Sequence, residues 1–243
     1  MEINQIIILS STALLIGLAK TGLTGINLIA LPLMASIYGG RASSGIVLVL
    51  LIFGDLFGVF YYHSHADKKS LVGLLPWAVV GVILGTLVGE RISNDLFLLL
   101  MAVIILISIS IILVQELRKR PITITWPGAS GVLGILGGFT TMIGNAAGAV
   151  MTLYLLSKGM TKNSMIGTGA WFFFLINLFK VPFHVVSWGT ISLETLVLVA
   201  PFTPLVVLGA LVGVKLVAKI PEAPYRYVII ALTILAAGYM VLT

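Results

Sequence analysis

Six uninterrupted apolar runs stand out along the chain, and polar or charged residues separate them. Each run is close to the ~20 residues that an α-helix needs to cross the hydrocarbon core of a bilayer. The pattern therefore predicts six transmembrane helices. They cover residues 44–62, 71–89, 96–115, 163–187, 191–214 and 225–242.

Two further apolar regions, 3–38 and 128–157, are interrupted near their middles by glycine, threonine and asparagine, at residues 20–25 and 137–145. Such residues free backbone groups from helical pairing, and at membrane depth those groups need protein or a water-filled cavity around them. We therefore predict two hairpins of short helices. The segment after the second interruption would span only about 18 Å as a helix, which favours re-entrant hairpins over two full crossings.

The order of these elements predicts an internal repeat. Residues 1–120 and 121–243 each contain one broken hairpin followed by three spanning helices, which is typical of transporters built from two halves. Short matches at an offset of 124 residues agree with it: Gly85–Gly89 with Gly209–Gly213, and Ala42–Gly45 with Ile166–Gly169. Small residues at this spacing also serve ordinary close packing of helices, so both interpretations stay open.

Basic residues indicate how the chain crosses the membrane, because loops rich in lysine and arginine usually stay in the cytoplasm. If each broken region returns to its starting side, ten basic residues share one face and only Arg41 and Arg91 lie on the other. The ten are Lys68, Lys69, Arg118, Lys119, Arg120, Lys158, Lys162, Lys215, Lys219 and Arg226. This count predicts that both termini lie on the outer side of the cell membrane and that the second half is inverted relative to the first.

Composition agrees with a fold that is all-α and embedded in the bilayer. Hydrophobic residues make up 59% of the 243 positions, charged residues 9%, and the mean hydropathy is +1.17. The net charge of +6 comes from basic residues at the ends of the apolar runs. These residues do not form a basic stripe interleaved with aromatic residues, so we expect no nucleic-acid partner. The chain has no cysteine and no catalytic or nucleotide-binding motif. We expect no enzyme activity, no cofactor and no metal site.

Polar residues inside predicted spans are costly and mark functional positions. Asn177, Lys180 and His184 share one helix face, and Pro182 should bend that helix. Asp55 lies near the middle of its span and falls opposite position 179, next to Lys180, if the halves are related by the repeat. We hypothesise an Asp55–Lys180 pair that either holds the halves together or relays a proton or substrate. Alternatively, Lys180 reaches the outer interface by snorkelling.

The hairpin interruptions are the candidate anion site. A short helix that begins at mid-membrane points unpaired N–H groups and a positive dipole end into the protein, where anions bind. The same residue types also cap helices in packed turns, which is the alternative. The candidate binding residues are Lys20, Thr21, Gly22, Thr24, Gly25, Asn27, Thr140, Thr141, Gly144 and Asn145.

The chain resembles the sulfite exporter TauE/SafE family, also called the four-toluene sulfonate uptake permease family. The resemblance covers nearly the whole chain and rests on the two-half layout and several short motifs. These motifs are Gly22–Gly25 followed by Pro32–Leu33, Ala42–Gly45, Trp188–Ile191 and the two GxxxG endings. It implies a permease for small sulfur-containing anions such as sulfite, sulfonates or thiosulfate.

These observations predict a secondary transporter that alternates access around a midplane site at the two hairpin tips. Its partners would be a small anion, the lipid bilayer and a coupling ion, either a proton or sodium. An anion channel or pore, or a membrane subunit without transport activity, are the alternatives. Substrate identity, direction of transport and oligomeric state do not follow from the sequence.

Overall fold

A computed structural model describes residues 2–23, 27–117, 128–221 and 224 of the protein. Every regular element within these residues is a helix. This confirms the predicted all-α fold. The helices are α1 (Ile3–Lys20), α2 (Asn27–Tyr38), α3 (Gly40–Tyr62), α4 (Lys68–Arg91), α5 (Asn94–Leu117), α6 (Ala129–Gly144), α7 (Gly148–Ser157), α8 (Lys162–Pro182), α9 (Leu193–Val199) and α10 (Thr203–Lys219).

The predicted spans agree with these helices. Helices α3, α4, α5 and α8 cover four of them, and α9, a 3₁₀ turn and α10 together cover 191–214. The predicted span 225–242 lies outside the described residues. Five stretches of the described residues are long and apolar enough to cross a membrane: Ile3–Lys20, Gly40–His65, Lys68–Arg91, Lys162–Ser187 and Leu193–Lys219. The chain is therefore a multi-pass membrane protein.

Both broken regions are interrupted, but two details of the prediction were wrong. Helix α1 has 18 residues and meets the length for a full span, so it is not a short helix. Helix α6 continues to Gly144, so the second interruption is only residues 145–147 and does not begin at 137. Gly134 and Gly138 of α6 pack directly on the backbone of α4 at Leu74 and Ala78, and that packing compensates their low helix propensity.

Two helix pairs pack backbone to backbone through glycine. A Cβ on Gly17 of α1 would collide with the Val206 carbonyl of α10, and one on Gly81 of α4 would collide with the Ile135 carbonyl of α6. Both pairs run parallel, since later residues of one helix meet later residues of the other. Each pair joins the first hairpin helix of one half to the second spanning helix of the other half.

Helices α3 and α8 cross each other in opposite directions. The start of α3 at Gly45 meets Thr190, which follows α8, and the residues after α3 up to Ala66 meet Gly167 near the start of α8. An inverted repeat requires this set of directions. The parallel pairs α1–α10 and α4–α6 each combine one helix from each half, and the antiparallel pair α3–α8 joins the two equivalent helices. They support the predicted repeat, which remains a prediction together with its boundaries.

Two basic residues from the two groups of the charge count, Lys162 and Arg41, lie at opposite ends of the bundle. Lys162 Nζ donates to the carbonyl of Ile220 at 2.8 Å, which places the ends of α8 and α10 together. At the other end, Arg41 Nη2 donates to the carbonyl of Ile92 at 2.7 Å, beside Arg91. These contacts place Lys162 and Arg41 at different ends of the bundle, and the orientation of the termini stays a prediction.

Candidate functional site

The buried end of α1 carries a lysine that pairs with the acidic residue of α3. Lys20 Nζ lies 2.7 Å from Asp55 Oδ1, and the ring of Phe173 covers the ammonium with its centroid at 4.5 Å. The contact is an ion pair by distance only, since its angle falls outside hydrogen-bond geometry. Gly54 and Gly58 make it possible, because a Cβ at either position would press on Lys20.

Asn177 of α8 connects this ion pair to the second buried lysine. Its amide Nδ2 donates to Asp55 Oδ2 at 2.7 Å, and its Oδ1 accepts from Lys180 Nζ at 3.3 Å. The hypothesised direct pair of Asp55 with Lys180 is therefore corrected: the ionic partner of Asp55 is Lys20, and Asn177 lies between the two charges. The amide can bridge them because it donates at one atom and accepts at the other.

Lys180 is fully buried and does not snorkel. Its Nζ donates to Asn145 Oδ1 at 2.6 Å and to Thr141 Oγ1 at 3.3 Å, in addition to Asn177. Three acceptors match the three N–H bonds of an ammonium group. All three acceptors are neutral, and no carboxylate among the described residues lies within 4.0 Å of Lys180 Nζ.

Asn145 holds its position at the second hairpin tip through backbone geometry and a contact with the first half. It adopts the left-handed conformation (φ 48°, ψ 26°), which asparagine tolerates at helix ends, and its N–H bonds the Thr141 carbonyl at 3.0 Å. Its Nδ2 donates to the Ser44 carbonyl of α3 at 3.2 Å. The amide oxygen is thereby directed at Lys180.

The other predicted tip residues have different roles or places. The Thr21 hydroxyl donates to the carbonyls of Gly17 and Leu18, both at 3.3 Å, and the Thr140 hydroxyl donates to Leu136 at 2.8 Å, so both are engaged within their own helices. These two fit the capping alternative. Gly22 has positive φ (126°) in the turn after α1, and Gly144 is buried at the end of α6. Thr24 and Gly25 lie outside the described residues, and Asn27 begins α2.

His184 lies on the same helix face as Asn177 and Lys180 but contacts a different part of the protein. Helix α8 ends at Pro182 and continues as a π-helical turn, Phe183–Ser187, which agrees with the predicted bend. His184 Nδ1 lies 2.8 Å from the hydroxyl of Thr190, and its Nε2 is buried without a hydrogen-bond partner. His184 is therefore next to the polar cluster and outside its hydrogen-bond chain.

Backbone contacts close both ends of the α3–α8 pair. At one end, Thr190 fits against Gly45, where a Cβ would leave only 2.6 Å to the Thr190 carbonyl. At the other end, Gly167 fits against the backbone of Tyr62, where a Cβ on Gly167 would lie only 2.5 Å from the Tyr62 carbonyl oxygen. Beside it, Thr168 Oγ1 accepts from Asp67 N at 2.9 Å. We call these the Thr190 closure and the Thr168 closure.

Sequence reasoning did not identify Ser44, Thr168 or Thr190 as functional positions. Their signal was present, because Ser44 and Thr168 lie in the two motifs matched at an offset of 124. Both motifs were interpreted as repeat or helix-packing signals. A small hydroxyl residue next to glycine serves helix packing and hydrogen bonding alike, so the residue type alone does not separate the two roles.

The arrangement forms one continuous polar cluster inside an apolar bundle: Lys20, Asp55, Asn177, Lys180, Thr141 and Asn145. Of these, Lys20 and Asp55 belong to the first predicted half and the others to the second. Asp55 is the one acidic residue among the buried side chains of the described chain. No three histidine or acidic residues gather as metal ligands in the same described part. The cluster offers ammonium, amide and hydroxyl donors, which are groups that bind oxyanions.

Comparison with known proteins gives the family. A family model described as "Sulfite exporter TauE/SafE" matches residues 9–240 of the 243. No curated protein and no solved structure matches the chain. The family consists of membrane transporters that export sulfite-like anions, which agrees with the apolar spans and the buried basic cluster. Because the match extends over nearly its whole length, the chain belongs to the TauE/SafE sulfite exporter family.

Proposed function

We propose that the protein is a secondary transporter that binds a small sulfur-containing oxyanion, such as sulfite, a sulfonate or thiosulfate, at Lys180 and moves it by alternating access. One observation carries the proposal: Lys180 is a fully buried lysine whose hydrogen-bond partners are all neutral. A buried charge without a counter-charge is strongly unfavourable. An anion beside Lys180 would supply that counter-charge.

The second hairpin tip gives this anion room and further donors. Helix α7 begins at Gly148, three residues after Asn145, and a Cβ on Gly148 would meet nothing within 4 Å. Open space therefore borders the N-terminus of a ten-residue helix, where unpaired N–H groups and the positive end of the helix dipole favour negative charge. Lys20 contributes less directly than the sequence predicts, because Asp55 already neutralises it.

The two closures support alternating access rather than an open pore. The polar cluster lies between the Thr190 closure and the Thr168 closure, and its side chains are almost completely buried. In this proposal, an ion reaches Lys180 when one end of the α3–α8 pair opens. The proposed cycle opens one closure at a time. Saturable transport that depends on a proton or sodium gradient is expected, and a linear current–voltage relation would instead indicate a channel.

Binding to purified Lys180→Met protein tests the proposal. Methionine keeps most of the buried volume and removes the charge, so affinity for sulfite and for a sulfonate should fall at least about tenfold. Lys158→Met is the matched control, because Lys158 is exposed and its ammonium lies over the Tyr154 ring, away from the cluster. Equal affinity in the Lys180→Met protein and the control would reject Lys180 as the anion site.

A further inference from the structure

We infer that the site selects monovalent anions over divalent anions of the same shape. This inference rests on the proposed function and concerns the same cluster. Its basis is the formal charge of the buried groups, namely two lysines and one aspartate. Their sum is one positive charge.

Because these charged side chains are buried, their net charge determines which anion charge the site accepts. Asp55 and Lys180 are 0% exposed and Lys20 is 8% exposed at its side chain, so water screens these charges little. The remaining partners, Asn177, Asn145 and Thr141, are neutral. A monoanion makes the occupied site neutral. A dianion leaves one excess negative charge inside the apolar bundle, which is costly in a low-dielectric interior.

Pairs of oxyanions with equal electron counts and shapes separate charge from size. Chlorate and the sulfite dianion are both pyramidal, and perchlorate and sulfate are both tetrahedral. We expect the monoanion of each pair to bind at least about tenfold more tightly, measured by titration calorimetry at constant ionic strength, with sulfite studied at alkaline pH.

Charge variants of the cluster remove the contribution of ion hydration, because each anion is compared with itself in two proteins. Asp55→Asn raises the sum to two positive charges and should shift the perchlorate-to-sulfate affinity ratio toward sulfate by at least about tenfold. The double variant Lys20→Met/Asp55→Asn removes the ion pair but keeps the sum at one. The double variant should bind perchlorate more tightly than sulfate, as the wild-type protein does.

The outcomes are distinguishable from failure of the proposed function. If neither anion of a pair binds the wild-type protein, the proposed site itself is wrong. If both bind and the dianion binds as tightly as the monoanion, charge selection is wrong while the site stands. Should Asp55→Asn fail to fold, the anion affinities of the wild-type protein and of the double variant still test the inference. A double variant that binds sulfate more tightly than perchlorate overturns it.

Discussion

The two buried lysines differ in what neutralises them, and this difference determines their roles. Lys20 has an acidic partner at 2.7 Å, whereas Lys180 has three neutral acceptors. We therefore propose that Asp55 and Lys20 act as a structural pair that fixes the end of α1 on α3, and that Lys180 is the lysine whose charge pairs with a ligand.

A carboxylate placed permanently beside Lys180 should compete with the substrate. Asparagine and aspartate both tolerate the left-handed backbone, so Asn145→Asp keeps the backbone conformation of the tip, while it loses the Nδ2 donation to the Ser44 carbonyl. The internal carboxylate would pair with Lys180, and we expect anion affinity to fall at least about tenfold. Thr140→Val is the control, since the Thr140 hydroxyl bonds its own helix. Undiminished anion binding by Asn145→Asp would contradict the model.

Breaking the ion pair on one side should cost more than removing both charges. Lys20→Met leaves Asp55 buried and uncompensated, and we expect a loss of about 3 kcal/mol in the free energy of unfolding. Adding Asp55→Asn to that variant should recover a large part of the loss, because no unpaired charge remains. Thermal unfolding of the two single variants and the double variant in detergent measures this coupling. Additive losses would show that the pair contributes no specific interaction.

At the scale of helices, close approach through glycine determines which elements pack together. Helix α4 offers an internal comparison, because Gly81 lies against the backbone of α6 and Gly73 lies next to open space. The sequence reveals both as glycines in an apolar run but not which one is in contact. That information depends on how the two helices are aligned along each other.

We expect Gly81→Ala to destabilise the protein by about 2 kcal/mol, since its Cβ would displace the Ile135 carbonyl of α6. Gly73→Ala should be neutral or slightly stabilising, because alanine favours helix and meets no atom there. Both substitutions add one methyl group to the same helix, so their difference in melting temperature isolates the contact. Similar effects at the two positions would argue against the α4–α6 interface.

Hydropathy predicted the helices of this fold because a bilayer imposes one length and one composition on every span. It could not predict the hairpin details. The Gly137–Gly138 pair was expected to break α6, yet both residues are helical and Gly138 packs on the backbone of α4 at Ala78. The partner of Asp55 was misassigned for a related reason. The 124-residue offset placed position 179 opposite Asp55 and so suggested its neighbour Lys180 as the partner, but the length of α1 brings Lys20 closer.

At the scale of the whole molecule, alternating access makes a prediction about sidedness. The chain has no cysteine, so a single introduced cysteine reports without background. A membrane-impermeant maleimide should label Thr168→Cys only from the cytoplasmic side, where the basic residues gather, and Thr190→Cys only from the outside. Adding sulfite should change both labelling rates. Ser64→Cys, on an exposed turn beside the Thr168 closure, serves as the sidedness control.

Labelling of both threonine positions from the same side would contradict the inverted arrangement of the halves. Labelling of both from their own sides at equal, substrate-independent rates would contradict alternating access and favour an open path. The two results are separable, because the first concerns direction across the membrane and the second concerns rate.

The hydrogen bond between Asp55 and Asn177 has a mechanical consequence. Gly45 lies ten residues before Asp55 along α3, and Gly167 lies ten residues before Asn177 along α8, so each closure is roughly 15 Å from this bond and the two lever arms are nearly equal. If α8 tilts on α3 about this bond as a fulcrum, one end widens by nearly the amount that the other narrows. A seesaw of this kind keeps the ligand's charged neighbours in place at the pivot while the route to them changes sides.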